Sequence, residues 1–211
     1  MPPKLREKNK ERTRIAIVRA ALELFVERGY DETTIPVIAD EAGVSPRTVS
    51  TYFPAKADIA LGPLDRIFER LRDCLDDRAD GATTLDAIEQ WMLGEVEVGD
   101  ETGNNLVRRA MARNPALQVA ERERIINAEN AIATSLAREH GLQKRAVGPR
   151  LLATAAVAMT FEMWGHKHVP HPHRKPAHLA QHADSIPYAM AILRAAEQAI
   201  GKDPKRSAAR L

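Results

Sequence analysis

One guanidinium and three hydroxyls, those of Arg47, Thr48, Ser50 and Thr51, stand within five positions of one another. Arginine can bond a guanine edge bidentately, and short hydroxyls can bond bases or phosphates, so the chemistry this cluster offers is hydrogen bonding to a duplex. Its spacing requires a helix. Ser45 is a candidate N-cap, Pro46 fits the first helical position and Pro54 closes the segment, which predicts a helix over Pro46 to Phe53. A helix of about two turns gains little alone, so Val49, Tyr52 and Phe53 must pack on neighbours. Just upstream, Ile35, Ile38, Ala39 and Ala42 repeat at helical spacing. Thr34 is expected to cap that helix with its hydroxyl, Pro36 falls in its first turn, and Gly43 supplies the positive φ of its C-terminus. Two short helices and a tight turn suit entry into a major groove. They equally suit an ordinary helical hairpin with a polar outer face.

The residues narrow this further. Leu24-Phe25, Gly29-Tyr30, Thr33-Thr34, Ile38-Ala39, Ala42-Gly43-Val44-Ser45, Tyr52-Phe53 and Lys56 occur in an order and spacing that resembles the DNA-binding domain of the TetR family of one-component transcriptional regulators. The resemblance covers about the first quarter of the chain; the remainder agrees in helical layout. It implies phosphate contacts by Thr34, Tyr52 and Lys56, and groove readout by Arg47, Thr48 and Thr51, with Ser45 and Ser50 completing the DNA-binding set. The start of the helix opening at Lys56 is also a natural phosphate site, because a helix N-terminus offers unpaired N–H groups. Arg47 is the first candidate for direct base reading, with a phosphate contact as its alternative.

Length and composition bound the rest. The 211 residues can bury a sizeable core. No run of about twenty uncharged apolar residues exists, so no membrane span is expected. The opening MPPKLREKNKERTR has no apolar segment and so does not read as a signal peptide. The only cysteine, Cys74, excludes an internal disulfide, and the expected location is cytoplasmic. A net charge of +2 means that any polyanion partner must be met by local patches. Sparse aromatic residues and abundant alanine suit an all-α fold.

Periodicity gives about nine helices: a three-helix head with a helix-turn-helix, and a larger helical bundle. The expected domains are 1–56 (an N-terminal arm plus the head), 57–200 (effector binding and dimerisation) and a disordered tail, 201–211. Met1 to Thr13 carries five cations against Glu7 and Glu11; it reads as a solvated arm, or as one reaching along DNA. The first helix is expected from about Lys10 to Arg28, with Ile15, Val18, Leu22 and Phe25 buried. The fourth begins at Lys56 and meets Gly62-Pro63, which predicts a kink or break there, a hinge or a static bend. Thr83 with Asp86 forms a capping box for the fifth. The eighth, about Val147 to Trp164, is apolar nearly all round and must be buried on more than one side. It and the ninth, about Ile186 to Ile200, are the expected homodimer surface, as the family resemblance also implies.

The resemblance implies a small-molecule effector inside the larger domain. Candidate lining residues are Phe68, Trp91, Met92, Met111, Asn127, Asn130, Phe161 and Trp164, with core packing as their competing role; the ligand class stays open. Glu95 and Glu162 lie on otherwise apolar faces, and a buried carboxylate needs a partner. Six histidines crowd residues 166–182, and His166, His168, His171 and His173 are candidates for a transition-metal site, although their spacing fits no fixed zinc signature. The leading function is a regulator, foremost a repressor, that binds a palindromic operator as a dimer and is released by an effector. No cofactor, membrane or enzymatic role is expected. A metal-dependent enzyme or metal sensor built on the histidine loop, and a helical adaptor with a silent head, remain as alternatives, as does activation instead of repression.

Overall fold

The computed structural model describes the backbone of residues 3–98, 104–163 and 184–200. These residues form helices and turns with no strand: α1 (Pro3–Glu27), α2 (Ile35–Glu41), α3 (Pro46–Tyr52), α4 (Lys56–Asp76), α5 (Thr84–Val98), α6 (Asn104–Arg113), α7 (Pro115–Glu139), α8 (Val147–Met163) and α9 (Ile186–Ile200). None is long and apolar enough to cross a membrane. The described residues fall into two compact units. The first is drawn from Met1–Arg66 and Asp100–Arg122, the second from Ile67–Gly99 and Glu123–Leu211. α4 and α7 each give residues to both. This division is one of packing.

In the first unit α1 packs on α2 and α6. Ile17, Val18, Ala21, Leu22, Leu24 and Phe25 are buried on α1, and Ile38, Ala39, Val49 and Phe53 close the core from α2 and α3. The capping logic of the short helices holds at Gly43, whose φ is 67°, and at Ser45, whose hydroxyl accepts from Thr48 N–H at 3.0 Å. It fails at Thr34, which has the extended backbone of an N-cap but makes no side-chain cap bond. α1 begins at Pro3, not near Lys10: residues 3–13 prolong the helix, since charged residues of good helix propensity extend an existing helix without a new nucleus.

α4 runs unbroken from Lys56 to Asp76 with Pro63 inside it, so the expected break at Gly62 does not occur. What Gly62 provides is room. A Cβ there would stand 3.3 Å from Phe53 Cε1, 3.5 Å from an Arg14 guanidinium nitrogen and 3.8 Å from Val18 Cγ2. Glycine lets α4 approach α1 and the Phe53 ring, over which the Arg14 guanidinium lies 4.9 Å from the centroid.

Glu121, on the part of α7 that belongs to this unit, is 7% exposed, and burial pushes its carboxyl up to about 7. The native state therefore binds more protons than the unfolded chain between about pH 4.5, the ordinary value, and about pH 7. Stability contributed here falls as pH rises through that window and is level above it. Glu121→Gln should melt with wild type near pH 4.5 and a few degrees higher at pH 8; thermal melts across that range check it, and parallel curves would refute it.

In the second unit α9 packs on α8 and α5. The capping box forms as the spacing requires: Thr83 N–H donates to Asp86 at 2.8 Å and Asp86 N–H to the Thr83 hydroxyl at 3.1 Å. The Asp86 carboxyl is held at about 2, by the Thr83 backbone N–H first, then its hydroxyl and the Arg194 guanidinium. Arg194 also reaches Glu89 at 2.7 Å, tying α9 to α5. Buried Thr84 shares its hydroxyl with Ser135 and Glu139, pinning α5 to α7.

α8 and α9 are apolar on two sides. Their inner faces bury Leu152, Ala153, Ala156 and Val157 against Ile186, Ala189, Met190 and Leu193. Their outer faces leave Val147 and Leu151 each 66% exposed, Tyr188 73% and Ile192 40%. At 147, 151, 154 and 158, and at 188, 192, 195 and 199, exposed residues recur at three- and four-residue spacing, one stripe per helix.

Candidate nucleic-acid interface

α3 is positioned by its own sequence. Ser45 caps its start, Pro46 sets the first φ, and buried Val49 anchors it from beneath. Its other face then carries Arg47, Ser50 and Thr51 into solvent, with Thr48 half-buried beside them. Arg47 and Ser50 make no side-chain hydrogen bond or ion pair among the described residues, so the guanidinium keeps its full donor set for an outside acceptor. Thr51 donates to the Arg47 carbonyl at 2.8 Å and retains its acceptor lone pairs. The Ser45 and Thr48 hydroxyls lie 2.8 Å apart, and Ser45 also serves the helix cap, so both are partly committed.

Flanking groups complete the surface. Thr34 is exposed at the start of α2 with its hydroxyl uncommitted to the cap. Tyr52 is half-buried at the end of α3, its ring 6.5 Å from that of Phe53.

Lys56 is placed differently from the sequence expectation. Its ammonium donates to the carbonyls of Tyr30 at 2.6 Å and Thr33 at 2.9 Å, and lies 4.1 Å from the Tyr30 ring centroid. Nor does the start of α4 present only unpaired N–H groups, because the Asp58 carboxylate takes the Ala55 N–H at 2.9 Å. An anion approaching there would meet a carboxylate already in place.

Asn114, outside the motif, and Thr33, within it, hold this region. Asn114, in the α6–α7 corner, accepts the Tyr30 N–H at 3.0 Å and donates to the Ala110 carbonyl at 2.6 Å. Thr33 is fully buried and gives its hydroxyl to the Gly29 carbonyl at 2.7 Å. A partner 84 residues away leaves no local trace.

The proposed effector residues do not form one cluster. Trp91 and Met92 are buried, with the Trp91 indole donating to the Ile67 carbonyl at 3.0 Å. Phe68 is buried edge-to-face with Phe161, ring centroids 6.2 Å apart. Met111 is buried in the first unit. Asn127 and Asn130 are corrected: both are exposed, because Ala128 and Ile132 take the inward face of α7 and rotate them outward. Glu95 is 6% exposed and its partner is Arg70, which grips it bidentately. Glu162 is exposed. Trp164, the histidines of 166–182 and the tail 201–211 lie outside the described residues. Among the described residues no group of three or more His, Cys, Asp or Glu side chains could hold a metal ion.

The chain is similar to known proteins. Residues 17–61 match the family model of bacterial regulatory proteins, tetR family, and residues 82–185 match that of the MftR C-terminal domain. The HTH-type transcriptional regulator TcmR of Streptomyces glaucescens is 32% identical over 148 residues, 66% of each chain. The HTH-type transcriptional activator FasR of Mycolicibacterium smegmatis is 26% identical over 149 residues, 68% of this chain and 66% of that one. The match thus spans about two thirds of the length of either relative. A TetR-family regulator from Streptomyces coelicolor superposes with a TM-score of 0.54 at 25% identity, covering 92% of this chain and 96% of that one.

Proposed function

Because this chain belongs to the tetR family of bacterial regulatory proteins, we propose that it is a cytoplasmic transcriptional regulator, foremost a repressor and not an enzyme. It binds operator DNA as a homodimer and is released by a small-molecule effector. The observation that carries this is the outer face of α3, where Arg47, Ser50 and Thr51 stand exposed on a capped, anchored helix. Arg47 reads a base edge, Ser50, Thr51 and Thr48 adjust to its neighbours, and Thr34 and Tyr52 hold phosphates on either side. The head of 1–56 does this work, and 57–200 carries the effector and the dimer.

The dimer forms through the outer stripes of α8 and α9. Two symmetric copies would bury Val147, Leu151, Tyr188 and Ile192 against one another, which removes exposed apolar area otherwise costly in water. Two heads then meet successive major grooves about 34–36 Å apart on a palindromic operator. The effector binds a conformation in which that spacing is wrong, and operator DNA weakens effector binding by the same factor. The buried rings of Phe68 and Trp91 and the half-buried ring of Phe161 are the apolar part of the effector region, and Glu95 with Arg70 its charged part.

Capture of genomic fragments at physiological salt, followed by sequencing, tests the reading. An enriched palindrome upstream of a gene is expected. Arg47→Ala should stay folded, lose about 1–3 kcal/mol of operator affinity and relax the preference at one position of each half-site. Capture of no sequence by folded dimer, with and without a metabolite pool, would remove the proposal. A reporter driven by the captured promoter then distinguishes repression from activation.

A further inference from the structure

We infer that Lys56 is a positioning residue of the DNA-binding head: its ammonium is a strut between the α1–α2 turn and the start of α4, holding the two phosphate-facing edges at a fixed spacing. This rests on the regulator reading above.

The turn after α1 concentrates main-chain acceptors. The carbonyls of Gly29, Tyr30 and Thr33 fall within five residues, at the C-terminal and therefore electronegative end of a long helix. The Thr33 hydroxyl serves Gly29. The Lys56 ammonium serves the other two and rests on the Tyr30 ring. That uses two of its three N–H donors.

Turning the ammonium outward to a phosphate would strip both carbonyls of their donor in a part-buried turn, and unmade bonds of that kind are costly. The rest of Tyr30 is held as well. Its N–H goes to Asn114 and its ring meets the edge of Phe25 at 5.1 Å.

Position gives the strut its function. Thr34 follows directly on Thr33, whose carbonyl Lys56 holds, and Tyr52 lies four residues before Lys56. The two groups proposed to take phosphates are thus joined through one side chain. A strut of this kind sets affinity without itself neutralising a phosphate.

The test uses the full-length dimer. Lys56→Met, Lys56→Gln and Lys56→Arg are compared for binding to the captured operator and to an arbitrary 30-base-pair duplex between 50 and 200 mM salt. Amide hydrogen exchange over residues 28–35 is followed in the free protein. Expected for Lys56→Met and Lys56→Gln are a native helical signal, exchange at least tenfold faster in that turn, and operator affinity at least tenfold weaker. The dependence of log affinity on log salt stays at the wild-type slope. Lys56→Arg, which keeps a cation on the Tyr30 ring, recovers most of both losses.

A slope shallower by about 1.8, one released counterion per protomer at about 0.9 each, would make Lys56 a phosphate contact and overturn the proposal. Unchanged affinity or unchanged exchange would overturn it too. If Lys56→Met fails to fold, Lys56→Gln decides, since its amide can still serve one carbonyl. Exchange is read without DNA, so a wild type that binds no duplex would end the regulator reading and leave the strut to be judged on its own.

Discussion

Glutamate at both Leu151 and Ile192 should convert the dimer to monomers and weaken operator binding by about a hundredfold or more. Leu151 is 66% exposed on α8 and Ile192 40% exposed on α9, at positions where the fold of one chain gives them little to touch. In the proposed four-helix interface each would face its symmetry mate's apolar stripe. A glutamate there is a charge taken out of water without a partner, one of the few changes that cost several kcal/mol. In the monomer the same glutamate stays solvated, so the fold of each chain should survive. The loss of affinity follows from linkage: with two heads joined, the second half-site is bound at an effective concentration in the millimolar range, and separation forfeits that gain. Sedimentation equilibrium with fluorescence anisotropy on the captured operator measures both. A double variant that remained dimeric would move the interface elsewhere, and a monomer with undiminished affinity would dissolve the two-head model.

Trp91→Ala should lower stability by about 3–5 kcal/mol, the range for removing a large buried aromatic, which for a chain of this size is on the order of 10 °C in melting temperature. Trp91 is only 2% exposed and its indole N–H is bonded to the Ile67 carbonyl at 3.0 Å. Trp91→Phe keeps most of the apolar volume and loses that donor, for about 1–2 kcal/mol. The pair separates packing from hydrogen bonding. It also tests whether Trp91 belongs to an open effector site: a side chain lining a solvent-filled space would leave little cavity cost on truncation, so a shift below about 1 kcal/mol for Trp91→Ala would place it there. Binding of hydrophobic probe molecules by Trp91→Ala alone would point to a new void in the core.

Local signals in the chain proved reliable because the physics behind them is local. Thr83 and Asp86 sit three apart, and the capping box needs nothing else. Ser45-Pro46 starts α3, and Gly43 is the one residue type that takes a φ of 67° without strain. The apolar period of α9 marks it at Ile186–Ile200, and the all-α class follows from the same repeats. The family was legible for a related reason: its signature lies in a short contiguous stretch where turn, caps and anchors all follow one another along the chain.

Partners distant in sequence were not legible. Thr34 has the residue type and backbone of a cap yet leaves its hydroxyl out of the bond, since a favourable residue type does not compel the geometry. Lys56 reads as a phosphate lysine, and nothing near it in the chain announces the carbonyls of Tyr30 and Thr33 that its ammonium meets; Gly62-Pro63 reads as a kink or break, yet α4 runs unbroken through it with Phe53 and Arg14 close by. Asn127 and Asn130 read as polar pocket fixtures, but a rotation of about 100° per residue carries them off the face that Ala128 and Ile132 bury. Glu95 announced only that it would want a partner; Arg70 on α4 answers it. Residue types and spacing therefore determined the helices, the ends marked by Gly43, Ser45 and Thr83, the family and the outward face of α3, because each depends on atoms a few residues apart. Only the tertiary structure decided where Lys56, Asn114 and Arg194 spend their donors and acceptors, because a hydrogen bond to a partner 23, 84 or 108 residues away depends on how whole helices pack.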